Sequence, residues 1–154
     1  MVLSARGRAR LLRVAVVGAA FGALAQTAAG DAPSTRDGVY TAEQARRGQA
    51  AYTGPCDRCH GFKLDGAPDD PDMLPAPPVA GPKFLRKWNG RTLGSLFEYL
   101  RATMPANNPG YLPDAEVADI MAYMLSVSGM PAGGAALAAE PEALASIVIV
   151  SQSP

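Results

Sequence analysis

The only two cysteines and the only histidine of this 154-residue chain stand within one pentapeptide, Cys56-Asp57-Arg58-Cys59-His60. Cysteines three apart on a helical turn point to the same side. Their sulfurs then reach the two vinyl groups of one porphyrin, and the adjacent histidine lies beneath the ring with a nitrogen aimed at iron. This is the attachment pattern of c-type haem. Competing chemistries fail on inventory. A structural zinc site takes four Cys or His ligands, and these three residues exhaust the supply. A thioredoxin-like redox pair expects a βαβ context, and no parallel-strand pattern is present. A disulfide between residues 56 and 59 closes almost no loop and contributes little chain entropy.

With no second histidine, the natural second axial ligand is methionine. Met73, Met104, Met121, Met124 and Met130 lie beyond the N-terminal segment. Met121 and Met124 fall on the apolar face of a predicted helix, where methionine more often packs than ligates. Met73 lies in an acidic, proline-rich stretch close to His60. Met104 follows a helix, is fixed by Pro105, and begins a loop suited to covering the opposite haem face. The expected axial pair is His60 and Met104; the alternative is an open or weakly ligated iron.

The N-terminus reads as an export signal. Arg6, Arg8, Arg10 and Arg13 precede an uncharged run from Val14 to Ala25, and Ala23 and Ala25 complete an A-x-A site. Residues 1–25 are therefore expected to leave, with Gln26 first in the mature chain and Ala29 a second cleavage point. An uncleaved anchor is the alternative, but the run is short against the roughly 20 apolar residues of a span. No membrane span is expected after cleavage, and the expected location is the periplasm. The whole chain has a net charge of 0, and losing four arginines and no acid brings the mature chain to −4. A basic tract for nucleic acid is absent.

Residues 26–38, small and broken by Pro33 and Gly38, read as a linker. Thr41 caps a helix running to about Tyr52, with Gln44 completing a capping box; Ala45, Gly48, Ala51 and Tyr52 are its candidate packing face. Gly48 inside it costs about 1 kcal/mol against alanine. Residues 61–81 hold five prolines and four aspartates without period and read as an irregular loop. Thr92 caps a second helix bearing Leu93, Leu96, Phe97 and Leu100, stopped by Pro105. Pro113-Asp114 opens a third, whose apolar face is Val117, Ile120, Met121, Met124 and Leu125; Ser128-Gly129 closes it. Beyond it, residues 140–146 read as a short helix with Pro141 first, and Ile147 to Val150 as a short strand or docked arm. The expected fold is all-α, about three main helices with long loops around a covalent haem. A domain over 39–132 is followed by an extension over 133–154. Only 6% of residues are aromatic, and a small core of that kind is often completed by a cofactor.

In its order of parts, from Thr41 to Leu125, the chain resembles the class I cytochrome c family, the monohaem His/Met-ligated type. The resemblance rests on a helix containing Gly48, the Cys56–His60 motif, Thr103-Met104-Pro105, and a last helix containing Tyr123. It implies that these two helices cross at Gly48 and Tyr123. It also implies a proline carbonyl bonded to the proximal histidine, with Pro77 the best match and Pro78 next, and a propionate-side tryptophan at Trp88, for which ordinary packing is the alternative. The stretch from Gly81 through Trp88 to Met104, with Pro109-Gly110 and Asp119-Ile120, looks like bacterial cytochromes that serve quinoprotein dehydrogenases. The implied activity is single-electron transfer by one haem c rather than catalysis. The implied donor is a periplasmic dehydrogenase, and the acceptor a cytochrome or oxidase. The basic cluster Lys83, Arg86, Lys87 and Arg91 and the acidic one from Asp65 to Asp72 are candidate steering surfaces.

Overall fold

The computed structural model describes residues 32–73 and 76–151. The signal segment and its cleavage points lie outside them. Within the described residues the chain forms five helices, so the all-α expectation holds: α1 (Ala42–Tyr52), α2 (Asp57–His60), α3 (Gly81–Trp88), α4 (Leu93–Thr103) and α5 (Asp114–Val127).

The three long helices start where their caps predict. Thr41 Oγ1 accepts from Gln44 N at 3.1 Å, and Thr92 Oγ1 accepts from Ser95 N at 3.2 Å, each satisfying a first-turn donor. The capping box at α1 forms only in half. The Gln44 amide, instead of returning to Thr41, is buried and clamps the backbone of Leu137, donating to its carbonyl at 2.9 Å and accepting its N–H at 2.7 Å. A distant segment thus outcompetes the local partner.

Helices α1 and α5 make the most extensive helix pair. Gly48 meets the backbone of Asp119 directly: a Cβ there would lie 1.8 Å from the Asp119 carbonyl oxygen. The crossing is flanked by Arg47, which grips the Asp119 carboxylate with two nitrogens at 2.8 and 2.9 Å, and by the edge-to-face pair Tyr52–Tyr123 with centroids 5.7 Å apart. Inside, Leu85, Leu96, Phe97, Met121 and Leu125 are fully buried, each worth about 1.5–3 kcal/mol of apolar transfer.

Helix α3 is the element that periodicity did not single out. Its Phe84, Leu85 and Trp88 are buried while Lys83, Arg86 and Lys87 face outward. Eight residues opened by Gly81-Pro82 give too short a repeat to stand out. Its start is tied to the end of α5, since Gly81 N donates to Ser128 Oγ at 3.0 Å, which donates to Met124 O at 2.6 Å.

Two further expectations are corrected. The described part of the expected linker is docked: Thr35 is completely buried, its N–H donates to Val148 O at 2.9 Å, and Val148 N donates to Pro33 O at 2.8 Å. Residues 140–146 form successive turns rather than a helix. Their bonds close tight turns, as Ala143 N to Glu140 O and Leu144 N to Pro141 O, and α4 ties down the end of the segment: Gly94 N donates to Leu144 O at 3.1 Å, and Leu93 N to the carbonyl of the following Ile147 at 2.9 Å. The arm continues as Ile149, whose N–H and carbonyl pair with Arg91 O and Gly90 N at 2.8 Å each. Among the described residues, β pairing is limited to isolated bridges of Val148 with Ser34 and Thr92.

Candidate functional site

The pentapeptide occupies a single helical turn hung directly from α1. Cys56 N donates to Tyr52 O at 3.1 Å, His60 N to Cys56 O at 2.9 Å, and Gly61 N to Asp57 O at 2.8 Å. Two side chains missed by sequence reasoning hold this turn. Buried Asp57 accepts from Gly54 N at 3.0 Å, and the Tyr52 hydroxyl donates to Gly61 O at 2.9 Å. Burial raises the Tyr52 phenol well above its ordinary 10.0, the nearby Cys56 and Asp57 adding to the effect, so it stays a donor at physiological pH.

Cys56 and Cys59 are separate thiols, both partly exposed. Burial first, then Asp57 and Cys59, pushes the Cys56 thiol up to about 11. A redox-active cysteine pair depends on a lowered thiol pKa; the Cys56 thiol runs the other way. Among the described residues no group of three His, Cys, Asp or Glu side chains is arranged to hold a bare metal ion. The donor set fits a porphyrin, with two thiols for covalent attachment and one imidazole for iron.

The imidazole is oriented by the loop behind it. His60 Nδ1 lies 2.8 Å from the carbonyl oxygen of Pro77. A carbonyl only accepts, so Nδ1 carries the proton and Nε2 is left with a free lone pair for a metal. Three backbone features bring Pro77 there. Val79 N and Ala80 N donate to Leu64 O at 2.9 and 3.2 Å, and Gly66 N donates to His60 O at 2.9 Å. Buried Leu64 adopts a positive φ of 59°, an unfavourable conformation for a branched residue that the surrounding bonds enforce. Gly66 passes the Ala76 carbonyl so closely that a Cβ would lie 2.3 Å from it. The carbonyl that the resemblance assigned to Pro77 thus lies against His60, and Gly66 was the unread signal of how the loop brings it there.

Burial separates the methionines. Met121, Met124 and Met130 belong to the core, whereas Met104 and Met73 are partly exposed. Met104 is the C-cap of α4, its N–H donating to Leu100 O at 2.9 Å. Trp88 is buried against Phe84 and Tyr99, with the Arg91 guanidinium 4.2 Å from its ring centre, contacts that describe packing. Among the described residues, Phe62 and Tyr111 are the most exposed large apolar side chains, at 79% and 65%.

Among the described residues no helix is long and apolar enough to cross a membrane. No curated protein and no solved structure matches the chain. A family model described as cytochrome c oxidase, cbb3-type, subunit III matches residues 43–124, from the first turn of α1 almost to the end of α5 and more than half of the chain. That span takes in the thiol pair, the oriented imidazole and the helix crossing together, and the chain belongs to this family of class I cytochrome c domains, electron-transfer proteins built around haem c.

Proposed function

We propose that the chain is an exported, periplasmic single-electron carrier holding one haem c on Cys56 and Cys59, with His60 and Met104 as axial ligands. Haem c, when bound, supplies a reversible one-electron iron couple. The chain's own residues account for the rest. The His60–Pro77 contact carries this reading: it leaves Nε2 as the ligating nitrogen and keeps the ring from turning. Proton donation to the Pro77 carbonyl makes the imidazole a stronger donor, and the Met104 thioether would be the other iron ligand, a choice that raises the potential of such a couple. Ligands held on α2 and at the end of α4 need not exchange during turnover, so little reorganises.

The donor we propose is a periplasmic dehydrogenase, quinoprotein enzymes included, and the acceptor a cytochrome or terminal oxidase. The oxidase in the matched family's description favours the latter as acceptor. Lys83, Arg86 and Lys87 project from one side of α3 without a carboxylate partner among the described residues, a surface suited to steering an acidic partner. Redox titration of the purified protein, followed by absorbance, tests the function. One reversible wave with a one-electron slope is expected; a protein that cannot be cycled, or that needs two electrons, contradicts it.

A further inference from the structure

Helix α4, which ends at Met104, is held most deeply over its first half, its second half keeping the contacts of Tyr99 with Trp88 and of Arg101 with Asp114. Its buried residues are Leu93, Gly94, Leu96 and Phe97, all in the first half, whereas Glu98, Tyr99 and Ala102 are exposed and Leu100, Thr103 and Met104 are partly so. At its first turn the grip comes from the C-terminal arm. The N–H groups of the first turn of a helix lack intrahelical partners. Here Leu93 N donates to Ile147 O at 2.9 Å and Gly94 N to Leu144 O at 3.1 Å, while Thr92 Oγ1 takes Ser95 N. Gly94 lets the arm approach: a Cβ would lie 2.6 Å from Pro141 O and 3.2 Å from the backbone of Ala145. Leu144 and Ile149 are fully buried beside this contact, and Ile149 also pairs on both sides with the turn leading into α4.

The geometry points to the arm over residues 141–149 as a strap that seats α4 and so positions Met104, with Ile149 and Leu144 as positioning residues for the distal ligand. This rests on the reading of Met104 as that ligand. A rigid helix held at its first turn transmits a change of seat along its length. Loosening the strap therefore enlarges the population in which Met104 has left its place, while the thioethers keep the haem attached.

The test uses the full-length haem-loaded protein and imidazole as a competing ligand to the ferric form. Ile149→Ala and Gly94→Ala should each raise imidazole affinity about tenfold, as removal of a well-packed aliphatic contact or its displacement by a methyl group implies. Faster hydrogen exchange over residues 99–104 should accompany this, with haem content and helicity retained. Tyr40→Phe removes the bond to Met130 O and lowers stability without touching α4, so its affinity should stay at the parent value. Met104→Ala should bind imidazole most tightly of all. Parent-like affinity in both strap variants, beside tight binding by Met104→Ala, overturns the strap and leaves the ligand reading intact. An equal rise in Tyr40→Phe overturns it too, because the effect would then be general stability. Parent-like affinity in Met104→Ala ends both claims. If Ile149→Ala does not fold, Ile149→Val is read by the same criteria.

Discussion

Gly48 of α1 and Asp119 of α5 touch backbone to backbone, with no room between them for a single methyl group: a Cβ at residue 48 would lie 1.8 Å from the Asp119 carbonyl oxygen. The helix from which the Cys56–His60 turn hangs and the last helix of the fold are thereby held at one separation. Tyr52, one turn further along α1, meets Tyr123 and bonds to Gly61 just beyond His60, so the crossing and the site share a helix.

Gly48→Ala should therefore destabilise, although alanine is worth about 1 kcal/mol more than glycine in a helix interior. Separating two backbones to admit the methyl group should cost about 3 kcal/mol, leaving a net loss of about 2 kcal/mol. Urea unfolding followed by circular dichroism measures it; a rise in midpoint contradicts the close approach.

Gln44→Ala removes both bonds to Leu137 and leaves a buried carbonyl and N–H without partners. A loss of about 2–4 kcal/mol is expected. Amide exchange should also quicken at Leu137. A purely local capping role would cost only about 1 kcal/mol and would leave that amide unchanged.

The pH dependence of stability should carry the mark of Tyr52. Its phenol is raised by burial above 10.0 in the folded protein, so its contribution is complete below pH 10.0 and fades as the unfolded chain ionises first. Tyr52→Phe should cost about 1 kcal/mol at neutral pH through the lost bond to Gly61 O, and the gap between the two proteins should narrow above pH 10.0. A gap that widens there contradicts the assignment.

Gly66→Val tests the orientation of His60. The new side chain collides with the Ala76 carbonyl and displaces Pro77, weakening the bond to Nδ1. A less electron-rich imidazole favours the reduced form, so the midpoint potential should rise. Pro77→Ala keeps the carbonyl and should change it far less. An unchanged potential in Gly66→Val means the bond does not tune the site.

Much of this was legible from local signals. Thr41, Thr92 and Pro113-Asp114 mark helix starts because capping is a matter of three or four neighbouring residues, and the pentapeptide displays its chemistry in five. What stayed hidden depends on remote partners. Gln44 looked like half of a capping box because nothing in its neighbourhood points to Leu137. Residues 140–146 looked helical because the N–H groups of Leu93 and Gly94, which take two of the arm's carbonyls, lie far away in sequence. Helix α3 was missed because eight residues hold little more than two turns of pattern. The loop from Gly61 to Gly81 reads as irregular, and only the family resemblance pointed to Pro77; how its carbonyl reaches His60 depends on Leu64 O gathering Val79 and Ala80, which no local pattern displays.

The proposed function stands on one haem bound covalently by Cys56 and Cys59 in an exported chain. Intact mass spectrometry of the protein from the periplasmic fraction, under denaturing conditions, tests it most directly. A single species starting near Gln26, with a mass exceeding that of the polypeptide by one haem, is expected. A species with the bare polypeptide mass, or one that loses its pigment on denaturation, contradicts it.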